Sequence, residues 1–270
     1  MSNLFDVKDK VMVITGGGGV LGRGMTEYMC SQGVKAAIID RCRDAGRNLE
    51  KELHDKGYIV KSYCSDVLDK EALEATANEI IADFGQVDIL VNAAGGNMAG
   101  ATIGPDSTIF DLEIDAFRKV VDLNLFGTVL PTMVFAKYMV EKGKGSIINI
   151  SSESALRPLT RVVGYGASKA AVTNFTKYMA TELATKFGEG LRVNAMAPGF
   201  FLTEQNRTLM TNPDGSLTAR GHSIIAHTPF GRFGTPDELF GTLHWLSSDA
   251  SKFVTGTLTV IDGGFDVFCI

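Results

Sequence analysis

Val11-Met12-Val13-Ile14-Thr15 runs directly into Gly16-Gly17-Gly18-Gly19-Val20-Leu21-Gly22. The first five residues are apolar and largely β-branched, too few for a helix, and read as a buried strand. The glycines that follow make a tight turn, and the pattern beyond Leu21 is helical. A strand that passes through such a turn lets backbone N–H groups and a helix N-terminus approach a pyrophosphate. Outward from this point the same rhythm recurs. Strands are expected near Val11 to Thr15, Lys35 to Ile39, Ile59 to Tyr63, Ile89 to Asn92, Ser146 to Ile150, Arg192 to Met196 and Thr257 to Val260. Between them, helices are expected near Leu21 to Gln32, Arg43 to Lys56, Lys70 to Phe84, Ile114 to Glu141, Tyr165 to Phe187 and Pro236 to Ser247. Alternation of this kind predicts an α/β fold, a seven-stranded parallel sheet doubly wound with helices on both faces. No Gly-, Ser- or Pro-rich linker interrupts it, so residues 1–270 are expected to form one domain. The stretch from Phe200 to Phe233 breaks the alternation and carries the turn signal Asn212-Pro213-Asp214-Gly215. An excursion of that length is expected to serve as a lid or substrate-binding lobe.

Bulk composition narrows the function classes. Among 270 residues, 45% are hydrophobic and the net charge is −5, with Lys and Arg scattered through the chain, which argues against a nucleic-acid partner. Cys30, Cys42, Cys64 and Cys269 show no CxxC spacing and no pairing with histidines, so a reduced cytoplasmic protein without bound metal is expected. No apolar stretch is seen to approach the roughly 20 residues that span a bilayer, so no membrane partner is expected.

Asp40 stands at the end of the second predicted strand, where a carboxylate accepts ribose hydroxyls and repels a 2′-phosphate. That favours NAD over NADP, although Arg41 beside it could welcome the phosphate. Asp66 and Asn92-Ala93-Ala94-Gly95 follow at later strand ends, where small residues let a flat ring lie against backbone. Tyr165 and Lys169 are four residues apart and share one helix face, so the ammonium is expected to lower the phenol's pKa toward neutrality. Ser152 follows the apolar run Ile147-Ile148-Asn149-Ile150 and is expected where that strand meets the crevice, placed to polarise a carbonyl. A Tyr and Lys at this spacing with an upstream Ser also occur as an ordinary helical pair and a loop serine. Their company with the glycine turn and Asp40 decides against that.

Taken in order, these motifs resemble those of the short-chain dehydrogenase/reductase family from Val11 to Gly264. To the motifs above the resemblance adds Asn124 in Asp122-Leu123-Asn124, Pro198-Gly199 with Thr203, and Asp262-Gly263-Gly264. It implies a Rossmann-type fold, a homotetramer, and a catalytic tetrad of Asn124, Ser152, Tyr165 and Lys169. In that scheme Ser152 binds the carbonyl oxygen and Tyr165 transfers the proton. Lys169 binds the nicotinamide ribose, and Asn124 holds a water that links the lysine to solvent. The implied cofactor residues are Gly16, Gly18, Gly19, Val20, Leu21, Gly22, Asp40, Asp66, Val67, Asn92, Ala93, Gly95, Pro198, Gly199 and Thr203, together with Tyr165 and Lys169. Counting from Thr15, the family's middle glycine falls on Val20, whose side chain is expected to crowd the pyrophosphate unless the turn is displaced.

The runs Ala197 to Arg207, Asp214-Gly215-Ser216-Leu217-Thr218 and His227 to Gly234 resemble the D-mannonate oxidoreductase branch of that family, also called fructuronate reductases. The glycine turn fits that branch, valine included. The resemblance implies reduction of a keto sugar acid, with gluconate 5-dehydrogenase or 3-oxoacyl thioester reductase activity as alternatives. A catalytically silent dinucleotide sensor is a further alternative, and it predicts erosion at Ser152, Tyr165 or Lys169 that the chain does not show. A sugar acid needs a carboxylate anchor, for which Arg161 or Arg207 qualifies, since a guanidinium pairs bidentately. Asn97, Glu153, Glu204, Gln205 and Asn206 are candidates to bind its hydroxyls.

Overall fold

The computed structural model describes residues 3–203 and 206–269. Seven parallel strands form one sheet in the order β3-β2-β1-β4-β5-β6-β7. They are β1 Val11–Thr15, β2 Lys35–Asp40, β3 Val60–Cys64, β4 Ile89–Asn92, β5 Gly145–Ile150, β6 Leu191–Pro198 and β7 Leu258–Ile261. All seven expected strands are present, with ends displaced by one or two residues at most. The chain winds outward from β1 to β3, then returns past β1 to β4 and onward. The switch point between β1 and β4 therefore opens a crevice at the carboxyl ends of the strands.

Strand alternation feeds two cores. Met12, Ile14, Ile38, Val91 and Ile148 face one side, where Met25 and Met29 of α1 (Val20–Ser31), Leu49 and Leu53 of α2 (Arg43–Asp55), and Leu243 and Leu246 pack. Val13, Ile39, Leu90, Ile147 and Val193 face the other, against α3 (Lys70–Phe84) and two further helices. Because helices cover both faces, the central strands β1, β4 and β5 are buried at every residue.

The expected helix Ile114 to Glu141 is corrected. It is three pieces, α4 (Ile114–Val121), a five-residue π-helical segment (Asp122–Phe126) and α5 (Gly127–Lys142). A second correction concerns hydropathy. The path Ile114–Lys142 spans 29 residues and contains an 18-residue window of mean hydropathy 1.3, long and apolar enough by composition to cross a bilayer. Half of that apolar window is buried in this fold, with Val134, Phe135 and Met139 packed on the sheet. The chain then runs through α6 (Val163–Phe187) to β6, and the excursion follows β6 with α7 (Arg207–Met210) and α8 (Ala219–Ala226). Its two ends meet at a bridge between Phe201 and Gly234, where Leu202 N–H donates to the Gly234 carbonyl at 3.0 Å. The Asn212 to Gly215 turn forms as read, closed by Gly215 N–H on the Asn212 carbonyl at 2.9 Å. The last expected helix starts as a 3₁₀ turn, Pro236–Leu239, and continues as α9 (Phe240–Ser247).

Candidate active site

A cavity of about 500 Å³ lies at the switch point, along the carboxyl ends of β1, β2, β4, β5 and β6. Gly16, Gly19, Val20, Leu21, Gly22, Asp40, Asp66, Val67, Ala93, Gly95, Tyr165, Pro198, Gly199 and Thr203 all line it. The glycine turn fits a phosphate cradle. Gly16 has φ +65°, and a Cβ there would stand 2.9 Å from the Ala94 Cα. A Cβ on Gly22 would come within 2.3 Å of the Gly16 carbonyl oxygen, so α1 packs on the turn backbone to backbone. Val20 sits at the first position of α1, 43% exposed and bordering the cavity, so its side chain lies outside that backbone contact. Asp40 is fixed by backbone donors, Cys42 N–H at 2.9 Å and Gly18 N–H at 3.2 Å. Gly18 is thus behind Asp40 instead of on the cavity wall.

Asn92 is also off the wall. It is buried, and its amide donates to Thr132 at 2.9 Å and Asn149 at 2.8 Å, joining β4 to β5 and α5. Its Nδ2 thus stitches the sheet, while its Oδ1 is buried without a partner.

Ser152 and Tyr165 both border the cavity. Ser152 emerges one residue past Ser151 at the end of β5, and its hydroxyl caps a 3₁₀ turn by accepting Ser154 N–H at 3.2 Å. Tyr165 and Lys169 lie in the first two turns of α6, where the Lys169 Nζ is 5.6 Å from the centre of the Tyr165 ring. Lys169 is 3% exposed and donates to the Ile150 carbonyl at 2.7 Å. Full burial lowers its pKa to about 8. The expected lowering of the Tyr165 pKa is corrected. Burial raises it, opposed by a hydrogen bond with Ser152. Desolvation penalises the phenolate more than its neighbours stabilise it, so Tyr165 holds its proton at neutral pH.

Asn124 lies on the π-helical segment, fully buried. Its amide donates to the Gly96 carbonyl at 2.7 Å and the Val120 carbonyl at 2.8 Å, and its oxygen accepts Gly96 N–H at 3.1 Å. A Cβ on Gly95 would meet Asn124 Oδ1 at 2.6 Å and Lys169 Nζ at 3.2 Å, so two predicted residues converge on this glycine. Asn124 clamps the loop that covers Lys169. π-Helical turns recur at such functional points.

The substrate candidates are dispersed. Asn97 donates within its own loop to Thr102 at 2.8 Å. Asn206 borders the cavity but ties its own segment, donating to the Phe201 carbonyl at 2.8 Å and accepting Thr203 N–H at 2.8 Å. Arg207 is exposed on α7 and Arg161 precedes α6, both outside the cavity wall. Glu204 and Gln205 lie outside the described residues. Glu153 is 1% exposed with both carboxylate oxygens unpartnered, and it lies off the cavity wall. Burial, with Asp266 and Asp262 nearby, raises its pKa to about 7, against the pull of Arg157. Sequence reading missed Ser151, which borders the cavity and bonds Thr173 at 2.7 Å and the Lys169 carbonyl at 3.2 Å. It missed Phe200 and Phe201, which close the cavity from the excursion's root. Neither carries a motif signal.

Residues 10–214 match the family model described as short chain dehydrogenase. An uncharacterized oxidoreductase of Bacillus subtilis is 43% identical over 265 residues, covering 95% of this chain and 94% of that protein. A crystal structure from Haemophilus influenza with bound NAD, provisionally named a D-mannonate oxidoreductase, superposes with a TM-score of 0.92 at 38% identity, covering 98% and 97% of the two chains. A gluconate 5-dehydrogenase from Burkholderia cenocepacia, in complex with NADP and tartrate, superposes with a TM-score of 0.86 at 30% identity, covering 98% of each chain. Sheet order, crevice and whole-length similarity agree, and the chain belongs to the short-chain dehydrogenase family of oxidoreductases that act on alcohol and ketone groups.

Proposed function

We propose that the protein uses NAD(H) to interconvert a keto sugar acid and its alcohol, with D-fructuronate and D-mannonate as the pair. The observation that carries the reaction class is the meeting of Ser152 and Tyr165 on one cavity wall, with Lys169 buried directly behind them. The glycine turn, Asp40, Asp66, Val67 and Thr203 would hold the dinucleotide along the rest of that wall. When bound, it supplies the hydride on reduction and accepts it on oxidation. Ser152 donates a hydrogen bond to the substrate carbonyl oxygen, and Tyr165 passes it a proton. Burial keeps Tyr165 protonated at neutral pH, which suits reduction. Lys169 and Asn124 hold the floor beneath the phenol and the Gly95–Gly96 loop.

Asp40 supports NAD over NADP, because a carboxylate with both oxygens already anchored by backbone donors cannot swing away from a 2′-phosphate. Similarity to the Haemophilus structure supports the sugar-acid class. The test is NADH oxidation against a panel of 2-, 3- and 5-keto sugar acids and a 3-oxoacyl thioester, with NADPH in parallel. Turnover of a keto hexuronate with NADH is expected. Activity only with the thioester and NADPH would overturn both the substrate class and the cofactor.

A further inference from the structure

The segment that follows β7 touches two separate parts of the site. The Asp262 carboxylate closes a turn by accepting Gly264 N–H at 2.8 Å and Asp266 N–H at 2.6 Å, and Gly263 and Gly264 supply its left-handed bends at φ +66° and +92°. Neighbouring residues leave that turn toward different partners. Phe265 meets Phe200 edge-on with ring centres 5.1 Å apart, and Phe265 and Phe268 lie 6.5 and 6.4 Å from the ring of His227 in the excursion. Asp266 instead meets Arg157, whose Nε donates to its carboxylate at 3.3 Å and whose terminal nitrogen donates to its main-chain carbonyl. Both members of that pair are half-buried.

Arg157 is in turn fixed to the Ser152 turn through the backbone. Its N–H donates to the Glu153 carbonyl at 3.1 Å, and Ala155 N–H donates to the Ser152 carbonyl at 3.0 Å. On the other side, Phe200 borders the cavity, whereas Arg157, Phe265 and Asp266 do not. The register of β5 with β6, Ile150 opposite Met196, brings Phe200 out beside Ser152. The same segment lies along the excursion, where Phe230 N–H donates to the Gly263 carbonyl at 3.1 Å and a Cβ on Gly264 would stand 2.9 Å from the Pro229 ring. The bridge between Phe201 and Gly234 joins the excursion's ends to each other and sets no distance to Ser152. We propose that Arg157 is a positioning residue of this active site: it latches a C-terminal strap, Asp262 to Phe268, and the strap holds Phe200 and the root of the excursion at a fixed spacing from Ser152. Arg157 reaches no reacting atom and acts through the strap. The inference rests on Ser152 and Tyr165 as the reacting pair and is independent of which ketone is reduced.

The test compares full-length wild type, R157A, R157K, D266A and F265A in two measurements. The first is hydrogen exchange by mass spectrometry with NADH present. Peptides covering residues 200–234 are expected to exchange about 10-fold faster in R157A and F265A, while those covering the glycine turn at residues 16–22 keep the wild-type rate. The second is steady-state reduction of D-fructuronate by NADH. There kcat/KM is expected to fall about 10- to 100-fold in R157A and F265A, mostly through KM, with the NADH dissociation constant from fluorescence titration unchanged within about twofold. R157K regains part of the loss, and D266A loses less than R157A because the main-chain carbonyl still accepts. The R157A/F265A pair loses less than the product of the single effects, since both cut one connection. Wild-type exchange across residues 200–234 in R157A overturns the strap, as does faster exchange that extends equally to the glycine turn, the mark of general destabilisation. An unchanged kcat/KM in both R157A and F265A, alongside a wild type that reduces D-fructuronate, overturns it too. A wild type that leaves D-fructuronate unreduced overturns the substrate alone, and hydrogen exchange then decides the strap.

Discussion

Replacing Glu153 with Gln should stabilise the protein at high pH and leave it nearly unchanged at low pH. Glu153 is 1% exposed, neither carboxylate oxygen has a partner, and Asp262 and Asp266 outweigh the single cation Arg157. Its pKa rises from 4.5 to about 7 on folding. Below 4.5 the side chain is protonated whether the chain is folded or not, and ionisation takes nothing from stability. Between 4.5 and about 7 the unfolded chain releases the proton while the folded one keeps it, so stability falls as pH rises. Above about pH 7 the whole difference is lost, about 3 kcal/mol at 1.36 kcal/mol per unit. Gln keeps the shape and cannot ionise. For a chain of 270 residues that difference corresponds to about 6 °C in Tm. Thermal unfolding of both proteins at about pH 4.5 and about pH 8.5 measures it, and any packing change from Gln itself cancels in the comparison. Equal Tm gaps at the two pH values would refute the reasoning, because the gap must widen by several degrees in favour of E153Q.

Four further outcomes are expected. Y165F should lose about 10²- to 10⁴-fold in kcat while NADH binding, read by fluorescence titration, persists. D40S should raise KM for NADH about 10- to 100-fold and let NADPH compete in steady-state assays, since two charge-assisted contacts and a repulsive charge go together. G22A places a Cβ 2.3 Å from the Gly16 carbonyl oxygen, so the turn must open. The expected cost is about 1–3 kcal/mol or more in denaturant unfolding, with loss of cofactor binding. Lys169, with a pKa of about 8, is positively charged below that pH. The rate of ketone reduction should fall through one deprotonation above about pH 8, and K169M should lack that inflection.

The strands and the glycine turn were legible because their causes are local. Five buried residues from Val11 to Thr15 and a Cβ-intolerant contact between Gly16 and Gly22 leave little choice of conformation. The single expected helix from Ile114 hid the π-helical segment, since apolar periodicity continues across it. What widens that turn is tertiary, the engagement of the Asn124 amide with Gly96 in a loop 28 residues away. Asn92 shows the opposite limit. Its position at a strand end was read correctly, but its partners Thr132 and Asn149 come from α5 and β5, which no neighbouring residue announces.

The Tyr165 pKa shows where spacing stops being informative. Four residues on a helix guarantee that a phenol and an ammonium share a face, but not that the ammonium reaches the oxygen. Here Lys169 turns toward the Ile150 carbonyl at 2.7 Å and lies 5.6 Å from the ring centre, itself desolvated to a pKa of about 8. A buried cation of that kind has less capacity to stabilise a phenolate than burial has to penalise it, so the sign of the Tyr165 shift reverses. The reversal has a chemical consequence. In the proposed reaction a protonated Tyr165 is ready to give its proton to a carbonyl oxygen held by Ser152, whereas alcohol oxidation would begin by removing that proton. The resting site is therefore poised for reduction at neutral pH. Oxidation in the same site should require higher pH, where the approach of the alcohol and the loss of the phenolic proton act together.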